Sequence, residues 1–156
     1  MSGSKDQLNL FETKSSEGET QVVAHPATPE LTALGSALPA DLFMGTSSWS
    51  FPGWRGIVYG GRPANKILSS HGLPAYASFP LFSSVGVDRS YYSSVSIDEF
   101  RSYAEQVPAS FRFLVKAAHQ VSSPVMLGPD RSLNPTFLDA DWACDYCVRP
   151  YVEGLG

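Results

Sequence analysis

The chain has 156 residues, 43% of them hydrophobic and 12% aromatic, with a formal net charge of −4. That is the make-up of an ordinary globular domain with a real core. No apolar run approaches the roughly 20 residues that cross a bilayer, and the N-terminus lacks the basic-then-apolar layout of a signal peptide. With Cys144 and Cys147 as the only cysteines, the expectation is a soluble, cytoplasmic protein without a membrane partner.

The charge is uneven. Met1 to Asp41 carries two basic and six acidic residues, Leu42 to Gly128 seven basic and four acidic, and Pro129 to Gly156 two basic and five acidic. The middle of the chain is therefore locally basic, which permits an anionic partner such as a phosphate or a nucleic acid without requiring one.

Residues 1–40 read as a disordered tail. They are rich in Ser, Thr, Glu, Pro and Gly and show little periodicity, so they have little apolar surface to bury. The exception is Gln7-Leu8-Asn9-Leu10-Phe11. This pentapeptide resembles the motif by which bacterial DNA-processing proteins dock on the replication sliding clamp. Leu8, Leu10 and Phe11 would be the apolar anchors and Gln7 the hydrogen-bonding group of an extended docking peptide. The plainer alternative is that these side chains rest on the protein's own surface.

From Leu42 the pattern changes to strands alternating with helices. Leu42 to Thr46 is the first predicted strand, and the small residues after it allow a tight turn. Trp49, Trp54 and Arg55 follow, with Pro52-Gly53 favouring a turn between the tryptophans. A helix is expected over Pro74 to Phe79, stopped by Pro80. Ser84 to Asp88 is the second predicted strand, where Gly86 marks a close backbone approach. Ser96 and Glu99 have capping-box spacing, so a second helix should run from there to about Gln106. Phe111 to Ala117 is the third strand, with Phe111, Phe113 and Val115 alternating with Arg112, Leu114 and Lys116. Asn134 and Pro135 look like the cap and first residue of a third helix reaching Glu153, kinked at Pro150.

The stretch GTSSWSFPGWRG at 45–56 is similar to the opening motif of the domain-of-unknown-function 72 family, the YecE-like proteins, which usually reads GTSGWSYPGWRG. Ser48 and Phe51 are its two departures. VGVDRSYYSSVS at 85–96 and PASFRFLVKAAHQV at 108–121 agree as well, although Gly86 stands where the family usually has a glutamate. The resemblance implies a TIM-type (β/α)8 barrel, and no established reaction comes with it. A barrel of that kind takes about 250 residues. The chain after the tail is therefore expected to be the N-terminal part of the barrel, residues 41–156, about three βα units that stop before a fourth strand. Such a piece expressed alone is expected to aggregate or to behave as a molten, dye-binding species.

Parallel strands end on one face, so three groups should converge at one rim. They are Trp49, Trp54 and Arg55 after the first strand, Asp88, Arg89, Tyr91 and Tyr92 after the second, and Lys116 and His119 after the third. The rings offer stacking platforms, and the cations offer donors for phosphate or carboxylate. Asp88, Lys116 and His119 are the candidate catalytic groups: Asp88 as a base, Lys116 as a nucleophile if burial lowers its pKa. A Lys–Asp pair is equally well a structural salt bridge. Glycosidase chemistry needs two carboxylates and only Asp88 is well placed. The three histidines and Cys144-Asp145-Tyr146-Cys147 lack a metal-binding spacing, and with GxGxxG and GxxxxGK absent, neither a metal nor another cofactor is expected.

Three readings remain open at this point. One is an enzyme, a hydrolase or lyase handling a phosphate-bearing substrate at the rim. The second is a non-catalytic DNA-associated protein recruited by the clamp. The third is a binding module with no catalysis.

Overall fold

The structure, a computed structural model, describes residues 21–156. Gln7, Leu8, Leu10 and Phe11, and with them the clamp-docking expectation, lie outside the described residues.

Among the described residues, three short strands form one open parallel sheet in the order β1-β2-β3: β1 at Gly45–Thr46, β2 at Ser84–Val87 and β3 at Arg112–Val115. Thr46 pairs with Val85, and Val85 with Phe113. The helices are α1 (Pro29–Ser36), α2 (Asn65–His71), α3 (Leu73–Ala77), α4 (Ile97–Ala104), α5 (His119–Ser122), α6 (Ala140–Ala143) and α7 (Arg149–Leu155). The alternation of strand and helix is thus the one expected, and the fold is mixed α/β.

The two-residue period of the strands decides which side chains meet the helices. Val85 and Val87 are buried, Phe111 meets the Tyr76 ring of α3, and Phe113 stacks on Tyr103 of α4. The core lies between that face and the helices, around Tyr59, Tyr76, Phe100, Leu68 and Leu73. The opposite face carries Gly45, Ser84, Gly86, Arg112 and Leu114 and is open: Leu114 is 77% exposed.

The first expected strand is shorter than its apolar run. Leu42, Phe43 and Met44 precede β1 and are exposed, although the Met44 carbonyl accepts from the Ser83 and Ser84 amides at 2.9 and 3.0 Å. Apolar residues mark a strand only where a partner strand covers them, and here the pairing begins at Gly45. Likewise β3 spans Arg112–Val115 rather than Phe111 to Ala117.

Gln21 to Pro39 is structured, which corrects the expectation of a structureless tail over those residues. Val22 is buried, Ala24 bridges Tyr59, and Thr28 caps α1 by accepting from the Leu31 amide at 3.2 Å. Polar composition hid an ordinary N-cap followed by Pro29 at the first helical position.

The expected helix over Pro74 to Phe79 is α3, and α2 before it was hidden by its Gly-flanked, mostly polar sequence. The helix after Ser96 is α4 as expected, with the Ser96 hydroxyl accepting from the Glu99 amide at 3.2 Å. The last helix does not start at Pro135. Asn134 is buried, and its amide donates to the Gln120 and Ser123 carbonyls at 2.8 and 2.7 Å, holding a loop. The helix begins instead at Ala140, capped by Asp139, which accepts from the Trp142 amide at 2.9 Å. It continues through a π-helical turn, Cys144–Val148, into α7. Pro150 has no N–H to give the carbonyl four residues back, so the wide turn sits just before it.

α7 crosses α4 with Gly154 against Phe100. A Cβ at 154 would overlap the Phe100 Cβ and come within 2.9 Å of the Ile97 carbonyl oxygen. Gly154→Ala should therefore cost about 1–3 kcal/mol as an overpacked contact and lower the thermal midpoint by several degrees. Glu153→Ala, at an exposed neighbour, should stay within about 0.5 kcal/mol of the parent. Equal midpoints for the two variants in a calorimetric scan would contradict the close helix crossing.

Candidate functional site

The C-terminal ends of the three strands lie on one side of the sheet because the strands are parallel. After β1 the chain turns through Ser47, Ser48, Trp49 and Ser50. This loop passes so close over β2 that a Cβ on Gly86 would come within 2.9 Å of the Ser47 Cα. Tyrosines fasten the loop: the Tyr59 hydroxyl donates to the Trp49 carbonyl, and Tyr76 accepts from the Thr46 amide at 2.8 Å.

Under the loop is a cavity of about 180 Å3 lined by Trp49, Asp88, Arg89, Tyr103, Ser69 and the serines of the loop. Three of the expected rim residues, Trp49, Asp88 and Arg89, thus come together. Trp49 forms a wall: it is buried, its indole Nε1 donates to the Ser69 carbonyl at 3.2 Å, and its ring meets Tyr103 edge-on at 5.1 Å. Asp88 is exposed, and its side chain makes no hydrogen bond or ion pair among the described residues.

Arg89 is bound to α4. Its guanidinium holds Glu99 through both nitrogens, at 2.5 and 2.6 Å, and donates to the Tyr103 hydroxyl at 3.2 Å, while Tyr103 donates to Glu99 at 3.0 Å. Glu99 thereby offsets the Arg89 charge. As a half-exposed pair it contributes at most about 1 kcal/mol, and its main effect is to fix the direction of the arginine fork. Burial pushes the Tyr103 phenol up to about 12; the nearby Glu99 adds to the shift and Arg89 opposes it. Glu99 and Tyr103 are site residues that sequence reasoning missed. Their four-residue spacing places them on one helix face, which was a signal, but Glu99 reads first as part of a cap.

Lys116 lies elsewhere. Its Nζ sits 4.8 Å from the centroid of the Tyr91 ring, a cation–π contact. His119 is buried, with Nδ1 2.9 Å from the Tyr91 carbonyl oxygen, and its ring is 5.9 Å from that of Tyr91. Tyr91, Lys116 and His119 thus form a second cluster, joined to the first through Ser90, whose one hydroxyl proton is shared between the Val87 and Lys116 carbonyl oxygens, 2.7 and 2.6 Å away. Tyr92 leans edge-on against Tyr91 and is 65% exposed.

Trp54 and Arg55 stand outside both clusters. Trp54 packs against Phe51 and Phe82, with centroids at 5.8 and 6.0 Å. Arg55 donates to the Pro63 carbonyl at 2.7 Å, tying down its own loop. Among the described residues no three His, Cys, Asp or Glu side chains gather in a group able to hold a metal ion. Cys144 is exposed and Cys147 buried. Among the same residues no helix is long and apolar enough to cross a membrane.

Burial also raises the phenol pKa of Tyr59, Tyr76 and Tyr151. A phenol whose pKa rises on folding favours the folded state while it stays protonated. That stability is fully present below the unfolded value of about 10 and is lost as pH climbs through the folded values, near 12 for Tyr103. An ultraviolet phenolate titration should show these tyrosines ionising together with loss of the circular-dichroism signal. Ionisation of all seven tyrosines with the fold intact would contradict their burial.

The family described as Protein of unknown function DUF72 matches residues 43–142, a span that holds all three strands and both rim clusters. No curated protein and no solved structure matches the chain. The match covers more than half of the sequence, and on that ground the chain belongs to the DUF72 family.

Proposed function

We propose that the three βα units are the opening part of a closed (β/α)8 barrel and that the protein binds a small anionic, phosphate-bearing ligand at the C-terminal rim of its strands. The observation that carries the binding reading is Lys116, which follows the third strand, makes no ion pair among the described residues and sits over the Tyr91 ring. Parallel order and helices against one sheet face support the barrel. So does a groove of about 550 Å3 beside β3, lined by Phe111, Phe113, Val115, Tyr151 and Leu155, where a further parallel strand would find backbone partners.

Because Glu99 offsets Arg89, the cation for the anion is Lys116, which makes no ion pair among the described residues and sits on a neutral ring. Serine hydroxyls of the first loop supply further donors. If catalysis accompanies binding, the reaction is hydrolysis or elimination at the phosphate-bearing group, with Asp88 taking a proton.

Arg112 provides the control. It lies on the same face of β3 as Lys116 but at the opposite end of the strand. In the full-length protein, Lys116→Met should weaken binding of inorganic phosphate or ribose 5-phosphate about tenfold by calorimetry, with Arg112→Met within twofold of the parent. Equal losses would remove the rim assignment.

Recruitment to a sliding clamp is a separate reading that rests on Gln7 to Phe11. A peptide of that segment should bind a bacterial clamp in an anisotropy titration and lose binding when Leu10 and Phe11 become alanine. Unchanged affinity would end that reading.

A further inference from the structure

The serine loop has cavities on two sides. Ser47, Ser48 and Ser50 line the cavity that holds Asp88 and also a second one of about 510 Å3, whose other walls are Phe51, Pro52 and Trp54. The first compartment is polar, with a carboxylate, a guanidinium and a phenol. The second is aromatic, and its volume falls in the range of small-molecule sites, about 300–1,000 Å3.

Two features of the second compartment call for a ligand. Phe51 is 56% exposed and held edge-to-face against Trp54 at 5.8 Å, so a ring face stays wet. Such a ring is a platform for a flat π-system. The indole Nε1 of Trp54 is buried and has no hydrogen-bond partner among the described residues. Orphaned buried donors are rare, and an acceptor on a neighbouring ligand would satisfy this one once ligand entry turned the ring to bring the N–H into the compartment. In the first compartment, Asp88 accepts no hydrogen bond from the described residues and is suited to hydroxyl donors.

We propose that the two compartments form one site for a nucleoside-class ligand. The base lies against Phe51 and Trp54 and offers a ring nitrogen or exocyclic oxygen to the Trp54 N–H. The serine hydroxyls span the base–sugar junction, and the sugar hydroxyls face Asp88. A bare sugar phosphate would leave the aromatic compartment wet and Trp54 unpaired. A bare aromatic ring would leave Asp88 and the serines unused. The inference deepens the rim-binding reading and rests on it for the ligand's position; a nucleotide's phosphate would be the anion that reading requires.

The test uses the full-length protein labelled with nitrogen-15. Its tryptophans give indole N–H signals, and Trp54→Phe identifies the one from Trp54. Adenosine and uridine, which carry no phosphate, are titrated separately from ribose 5-phosphate and inorganic phosphate. Both nucleosides should shift the Trp54 signal, and Phe51→Ala, a change at an exposed position, should weaken their binding about tenfold. Nucleosides that leave the Trp54 signal in place, or bind Phe51→Ala as well as the parent, overturn the proposal whatever the phosphate arms show. Failure of ribose 5-phosphate and inorganic phosphate to bind removes the anion reading instead, and nucleoside binding at Trp54 would stand without it.

Discussion

Everything at the rim depends on how closely the first loop can approach the second strand. The Ser47 backbone runs over Gly86 at a distance that no side chain on residue 86 would allow. Two tyrosines hold the loop in that position, Tyr59 at the Trp49 carbonyl and Tyr76 at the Thr46 amide. Both are buried in the core, which raises their phenol pKa, and they serve as hydrogen-bonding struts. Because the loop is pressed onto β2, its serines stand between two cavities, and Trp49 reaches the residues that follow β2.

The turn after β2 then divides the rim. It is a short 3₁₀ segment, Asp88–Tyr91, in which three successive residues point three ways. Arg89 turns to Glu99 and Tyr103 on α4, Ser90 turns inward to the Val87 and Lys116 carbonyls, and Tyr91 turns under Lys116. In one cluster the arginine is therefore offset by Glu99, while the other presents a cation on an aromatic ring. That separation shifts the source of positive charge at the rim from Arg89 to Lys116. It also leaves the Asp88 side chain facing a cavity without a fixed partner among the described residues.

Several of these features were legible in the sequence for physical reasons. The parallel order followed from strands alternating with helices, and the convergence of residues after each strand followed from the parallel order. Gly86 in an otherwise apolar strand pointed to a close backbone approach, and the Ser47 loop is that approach. Ser96 with Glu99 announced the start of α4. Asn134-Pro135 misled because an N-cap residue also suits a buried turn: Asn134 spends its amide on three carbonyls of the α5 region rather than on a helix. Leu42 to Met44 misled because apolar character marks a strand only where a neighbour covers it.

What the sequence determined by itself was local or periodic: the Ser96 cap, the strand faces, and the set of residues that leave the strands at one end. What only the tertiary structure decided was which of those residues share a cavity and which are already spoken for. Arg89 looks like a free cation until α4 brings Glu99 to it, and Trp54 looks like a partner of Trp49 until Phe51 and Phe82 hold it in the neighbouring compartment. Charge neutralisation and ring packing depend on contacts between residues distant in the chain, and no local pattern of residue types encodes them.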